Sequence, residues 1–216
     1  MAPSFDLDRI TSGLGRYPYK IEENSFKIHA SCRHTHPAVD AALAIRVAER
    51  IPAGDIDRII VRTYKTALQI AASYHPSSTY AAKFSLPFCV ALALKTGSCG
   101  HEDITGASLE DDEIRRLMSK VELVLDEELD ARHPVLWPAI VEVTTRQRRV
   151  YRSATDHPRG DPENPPSKDE LISKFRTLSR CSWEENEAID IEKTVLSLEK
   201  LADMTKLFGS ILAMEA

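Results

Sequence analysis

The sequence predicts an α+β fold, a small mixed sheet with packed helices followed by a two-helix C-terminal tail. Three observations carry this. Before residue 155, stretches with helical spacing of small and aliphatic residues alternate with short β-branched runs. A proline-rich stretch, DHPRGDPENPPS at 156–167, interrupts both patterns. Two more segments of helical periodicity follow it, which sets a strand-rich core apart from a helical tail. The boundaries read as a lead-in over 1–24, an α+β domain over 25–163 and a helical segment over 164–216.

Residues 1–24 lack periodic apolar residues and contain GLGRYPY, so they read as a loop or weak strand. From Pro37 onward Ala38, Ala41, Ala42, Ile45, Val47 and Ala48 recur at helical spacing, and Thr35-His36-Pro37 supplies a cap and a first-turn proline. Pro52 and Gly54 should end that helix, and IDRIIVRTY at 56–64 has the length and branching of a strand. ALQIAASYHPSSTY reads as loop. AAKFSLPFCVALALKTG reads as an almost wholly apolar, buried helix closed by Gly97. ITGASLEDDEIRRLMSKV predicts a third helix capped by Ser108, with acids early and bases late, as the helix dipole favours. KVELVLDEEL and WPAIVEVTTRQRRVYRSAT alternate like strands, the second as a hairpin turning at RQR. The stretch 156–167 holds four prolines and one glycine and predicts a linker or extended loop. Ser167 then caps a helix with Leu171, Phe175 and Leu178 on its apolar face, and a last helix runs from about Glu187 to Met214.

Composition limits the function classes. The chain is 43% hydrophobic and 28% charged with a net charge of −5, the profile of a globular protein and a poor match to nucleic acid or an anionic membrane surface. The longest apolar run, LPFCVALAL, is too short to span a bilayer, and MAPSFDLDRI resembles no secretory leader. Cys32, Cys89, Cys99 and Cys181 form no CxxC pair, so they read as reduced thiols in a cytoplasmic or organelle-matrix protein that is not secreted.

The chemistry concentrates in FKIHASCRHTHPAVDAAL at 26–43. His34 and His36 are two apart, a spacing for two ligands on a strand but not on a helix, and no partner cluster follows, so no metal is expected. Cys32 precedes a helix N-terminus and basic neighbours, conditions that activate a thiol, but the sequence identifies no orienting base. Lys27, Arg33, His34 and His36 converge just before a helix start, which suits a small di- or tricarboxylate. The plainer alternative is a solvated helix start. In KFS at 83–85, Lys83 is the lone charge in an apolar stretch and either snorkels to the surface or faces a polar cavity. RGDP at 159–162 reads as turn chemistry.

Three stretches carry a resemblance to a known family. KIHASCRHTHPAVDAAL resembles the MmgE/PrpD pattern of a lysine, a Cys or His five residues on, then Thr-His and an Ala-Asp-Ala-rich helix. AAKFSLPFCVALALKTG is similar to its Ala-Lys/Arg-Phe-Ser-x-Pro-Tyr/Phe helix, and PRGDPENPPSKDELISKFRTLS to its Gly-x-Pro-x-Asn-Pro loop and Lys-Phe helix. The resemblance runs from about residue 13 to 180.

That family includes 2-methylcitrate dehydratase, cis-aconitate decarboxylase and an iminodisuccinate epimerase, which move a proton beside a carboxylate without a cofactor. Its members pair a large all-helical domain with a smaller α+β lid, the active site lying between them. The resemblance therefore implies that residues 25–163 are lid-like and that residues from 166 match helices packing back on the helical domain. It implies a lyase or isomerase of a small polycarboxylate, without cofactor, with Lys27, Arg33, Lys83 and Ser85 binding substrate. His34, His36 and Cys32 are its candidate catalytic residues. Cys32 stands where the characterised lyases carry histidine, and a thiol differs from imidazole in both pKa and geometry. Family members are roughly twice as long, so a homo-oligomer or a separate helical-domain subunit is expected as partner. The alternatives are a non-catalytic lid remnant that binds or regulates, and a shortened scaffold recruited to a biosynthetic dehydration or cyclisation.

Overall fold

A computed structural model of the chain describes residues 6–205, 207 and 208. Its centre is a four-stranded mixed sheet ordered β2-β1-β3-β4, built from β1 (Ile56–Thr63), β2 (Val121–Leu125), β3 (Ala139–Thr145) and β4 (Val150–Thr155). β1 pairs parallel with β2 and antiparallel with β3, while β3 and β4 form the hairpin that the alternation predicts. The register sets Ile59 opposite Val143 and Val61 opposite Val141, all fully buried, so one face is a continuous aliphatic layer. The other face is polar. There Glu142 sits between Arg62 at 3.7 Å and Arg152 at 3.6 Å.

Helices cover the aliphatic face. After a short α1 (Asp8–Thr11), α2 (His36–Glu49) packs on β3 and β4, and α5 (Leu86–Thr96) packs on α2. Leu86 through Leu94 are all buried, which explains the continuous apolar run: α5 is surrounded on every side. Burying Phe88, Leu92 or Leu94 contributes about 1.5–3 kcal/mol each. Ser85 begins α5 by accepting the Phe88 amide at 3.2 Å, and Gly97 ends it at φ 88°.

Several elements depart from expectation, each for a local reason. The lead-in, read as a loop or weak strand, is mostly loop and contains the short α1 and a 3-10 turn at Lys20–Glu23. The predicted loop after β1 contains α3 (Lys65–Ala71) and the single turn α4 (Thr79–Ala82). The expected third helix is two, α6 (Gly106–Glu110) and α7 (Asp112–Met118), because Asp111 accepts the Glu113 and Ile114 amides at 2.9 and 3.0 Å and begins a new helix. The Lys95 ammonium of α5 pairs with the same carboxylate and lowers its pKa. Ser108 is therefore not a cap; it completes the capping box of Thr105. A short α8 (Glu127–Arg132) follows β2.

In the tail, α9 (Lys168–Ser179) starts at Ser167 with a reciprocal Ser167–Glu170 box. The last helix, α10 (Glu185–Val195), is shorter than expected and gives way to a 3-10 turn at Leu198–Lys200. There Ser197 turns its hydroxyl back onto the Lys193 carbonyl at 2.9 Å. The part of the predicted helix from residue 209 onward lies outside the described residues. Among the described residues no helix is long and apolar enough to cross a membrane.

The proline-rich stretch is a bonded clasp. The Arg159 amide donates to Asp40 of α2 at 2.6 Å, and its guanidinium reaches Glu170 of α9. Gly160 accepts the Phe26 amide at 2.8 Å, and Asp161 pairs with Arg33 and accepts the Ser25 hydroxyl at 2.6 Å. Gly160 adopts φ 104°, and a Cβ there would stand 2.0 Å from the Phe26 carbonyl oxygen. Gly160→Ala is expected to destabilise the fold by roughly 2–4 kcal/mol. Gly106→Ala, which meets nothing within 4 Å, should stay within about 1 kcal/mol of wild type. Equal denaturant midpoints for the two variants would refute the clasp.

Candidate functional site

Residues 25–35 have little regular structure of their own and are held by neighbours. The Ala30 amide donates to the Cys99 carbonyl at 2.9 Å, and the Cys32 amide to the Lys83 carbonyl at 2.7 Å. The second bond brings the two polar stretches singled out in the sequence into contact. The chain then makes a 3-10 turn over Arg33–Thr35 and enters α2. Thr35 does not cap α2 with its side chain. Its hydroxyl donates to the Cys32 carbonyl at 2.8 Å and lies 2.8 Å from the Ser31 hydroxyl, which locks the turn.

This turn sorts the candidates by side. His36 faces inward and is fully buried, with Nε2 3.3 Å from the Ser31 carbonyl and its ring edge-on to His29. His29 is itself bonded to Asp40 at 2.7 Å. Arg33 spends its guanidinium on Asp161, and Nδ1 of His36 lies 3.3 Å from it. Ser85, fully buried, donates to the Ser73 carbonyl at 2.6 Å while capping α5. His36 and Ser85 are thus engaged inside the protein, and the half-buried Arg33 is paired to Asp161.

Cys32, His34 and Lys83 remain half-buried, and Lys27 is exposed. Around His34 stand three residues that sequence reasoning missed. The Tyr64 hydroxyl is 2.9 Å from Nδ1 of His34, Trp137 stacks on the His34 ring at 4.7 Å, and His133 stacks on Tyr64 at 4.1 Å. Tyr64 follows β1 and Trp137 precedes β3, and the antiparallel register Thr63↔Ala139 brings those strand ends together. Only that register could have revealed the cluster. Burial, and then His133, lower the pKa of His34, while burial, and then Cys32, push the Tyr64 phenol up. A fourth missed residue, Lys174 of α9, donates to the Lys27 carbonyl at 2.7 Å. Burial and the charge of Lys27 lower its pKa.

Two other features lie apart from this group. A cavity of about 620 Å³ is lined by Tyr74, His75, Leu109, Arg115 and Met118, none of them a sequence candidate. His157, Asp161 and Glu163 bring donor atoms within 4.8 Å of one another. Asp161 is already neutralised by Arg33, so this cluster reads as ion pairing within the clasp.

Burial, then His29 and Arg33, push the pKa of His36 down to about 2. An unfolded histidine titrates near 6.5. Above that pH both states are neutral and the group contributes nothing. Below it the unfolded chain takes up a proton that the folded chain refuses, so stability falls as pH drops, by up to about 1.4 kcal/mol per pH unit. Between pH 6.5 and 5 this amounts to roughly 2 kcal/mol from His36. Denaturant titrations should show that slope in wild type and a shallower one in His36→Gln; parallel slopes would acquit His36.

Residues 29–200 match the family model described as the MmgE/PrpD C-terminal domain. Among curated relatives, the chain is 25% identical over 217 residues to a cis-aconitate decarboxylase of Aspergillus terreus (strain NIH 2624 / FGSC A1156), covering 95% of this chain and 44% of that protein. It is 26% identical over 208 residues to the cis-aconitate decarboxylase of Homo sapiens, covering 92% of this chain and 42% of the relative. The chain therefore spans less than half the length of the curated relatives it matches. With the three motif stretches, the fold and the family match in agreement, the chain belongs to the MmgE/PrpD family, of which it carries the C-terminal domain.

Proposed function

We propose that this chain is the lid half of an MmgE/PrpD-type lyase or isomerase that binds a small polycarboxylate and moves a proton beside one of its carboxylates. The observation that carries the reading is the bond from the Cys32 amide to the Lys83 carbonyl. It holds together two motif stretches that contribute Lys27, Cys32, His34 and Lys83. Lys27 and Lys83, neither with an acidic partner among the described residues, supply positive charge for carboxylates. Cys32 and His34 are the polar groups beside those charges that could meet the reacting part of the ligand. Relatives named cis-aconitate decarboxylase favour a six-carbon tricarboxylate or a close analogue as ligand. No cofactor enters this reading, and four free thiols suit a reducing compartment such as cytoplasm or organelle matrix.

Such a lid needs a cover. Leu7, Ile10, Leu14, Tyr17 and Ile21 are each more than half exposed, and Val195 and Phe208 project from the tail. Apolar residues in that number call for a partner surface, either a helical half of the family type or a second copy of this chain. A second reading is that the chain binds a carboxylate without turnover, as a regulatory subunit. The observation favouring it is Cys32 itself, a thiol where the family's characterised lyases carry imidazole.

Titration of the chain, alone and with any helical-half partner, with cis-aconitate, 2-methylcitrate and citrate tests both readings. Binding should raise thermal stability, by about 2.7 kcal/mol at a hundredfold excess over Kd. Lys27→Ala should weaken binding roughly 10- to 100-fold, the worth of a charge-assisted hydrogen bond. Binding with proton exchange or product formation supports the enzyme, and binding without either supports the regulatory subunit. Unchanged melting with all three acids refutes both. Sedimentation equilibrium should show self-association or partner capture; a stable monomer in the presence of a helical half would remove the proposed cover.

A further inference from the structure

The contact between His34 and Tyr64 decides more than proximity. Tyr64 is fully buried, and among the described residues its hydroxyl has one hydrogen-bond partner, Nδ1 of His34 at 2.9 Å. A buried O–H that does not donate is left unsatisfied at a free-energy cost. The hydroxyl proton therefore goes to Nδ1, which must accept, and the imidazole proton belongs on Nε2.

Packing keeps this arrangement from inverting. The His34 ring lies 4.7 Å from Trp137 at an interplanar angle of 23°, and the Tyr64 ring lies 4.1 Å from His133 at 8°. Turning His34 over within its stack would replace Nδ1 by a carbon and orphan the hydroxyl. Protonating it would turn Nδ1 into a donor and leave the hydroxyl proton without an acceptor. The charged and titratable groups facing the pair are His133 from the segment before β3, and Arg33 and Cys32 from the same turn. His133 and burial both disfavour the imidazolium. His34 is only half-buried and its Nε2 has no partner among the described residues, so that nitrogen is the one able to reach a ligand.

We propose that Tyr64 fixes His34 as the Nε2–H tautomer, so that position 34 offers a bound carboxylate or enolate oxygen a hydrogen-bond donor instead of a base. The ligand role rests on the carboxylate reading above, whereas the tautomer does not. A neutral imidazole N–H stabilises charge developing on such an oxygen without giving up its proton. Tyr64 is then a positioning residue that acts through His34, and the base role falls to another group.

Long-range ¹H–¹⁵N spectra of the labelled chain at pH 7.5 test the tautomer without any ligand. The Nε2–H form of His34 should dominate by roughly tenfold, the bias of one hydrogen bond. In Tyr64→Phe, which keeps the stacking ring, that bias should drop by about the same factor. A dominant Nδ1–H form in wild type, or an unchanged ratio in Tyr64→Phe, overturns the proposal; should Tyr64→Phe not fold, the wild-type spectrum alone decides. The ligand role is read from cis-aconitate affinity. His34→Gln, which retains an N–H donor, should stay within about threefold of wild type, and His34→Leu should lose about tenfold. Equal losses in both variants overturn the donor role. No binding by wild type refutes the carboxylate reading and the donor role with it, leaving the tautomer to stand on its spectrum.

Discussion

The hydrogen bond from the Cys32 amide to the Lys83 carbonyl is the constraint on which the rest of the candidate site depends. The segment before α2 has no helix or strand to satisfy its backbone, so its amides must find carbonyls elsewhere. Cys99 takes the Ala30 amide, Lys83 takes that of Cys32, and Gly160 takes that of Phe26. Each of these partners is anchored in turn. Lys83 closes α4 two residues before Ser85, the cap of the deeply buried α5, and Gly160 belongs to a clasp bonded to both α2 and α9. A polar, irregular segment thereby acquires the rigidity of the core beneath it, which a loop displaying binding groups requires.

The same turn divides its polar residues between structure and surface. His29, His36 and Arg33 are paired to Asp40, the Ser31 carbonyl and Asp161, and these bonds hold the start of α2 in place. His34, two residues from His36, faces the opposite way and meets an aromatic cluster assembled from the ends of two strands. Charge follows this division. His36 is held neutral by burial and by cationic neighbours, whereas Lys27 and Lys174 crowd two ammonium groups near the entrance to the same segment. A dense run of basic residues thus resolves into an internal scaffold and a smaller set of groups without acidic partners among the described residues.

Other elements show how local chemistry overrides periodicity. The acidic run at 110–113 reads as the first turn of one helix, yet Asp111 caps a second, because its carboxylate reaches two amides and the Lys95 ammonium at once. The proline-rich stretch has the composition of a tether, but Asp161 and Arg159 bond it to Arg33 and Asp40, and Asn164 ties it to its own His157 carbonyl. Composition reports that such a stretch cannot be helix or strand. It does not report which neighbours its polar side chains will find.

The sequence by itself determined the α+β class, the buried α5, the β3–β4 hairpin and the capped start of α9. These follow from local rules: apolar period, glycine and proline placement, and capping residues three apart. It also marked the 26–43 and 83–85 stretches as carriers of chemistry through three motifs. Only the tertiary structure decided which of their residues are spent. Whether Arg33 binds a ligand or Asp161, and whether His34 stands alone or against Tyr64 and Trp137, depends on pairings across 30 to more than 100 residues of chain. Such pairings leave no periodic trace, because the groups meet through strand register and loop closure and not through their own local sequence.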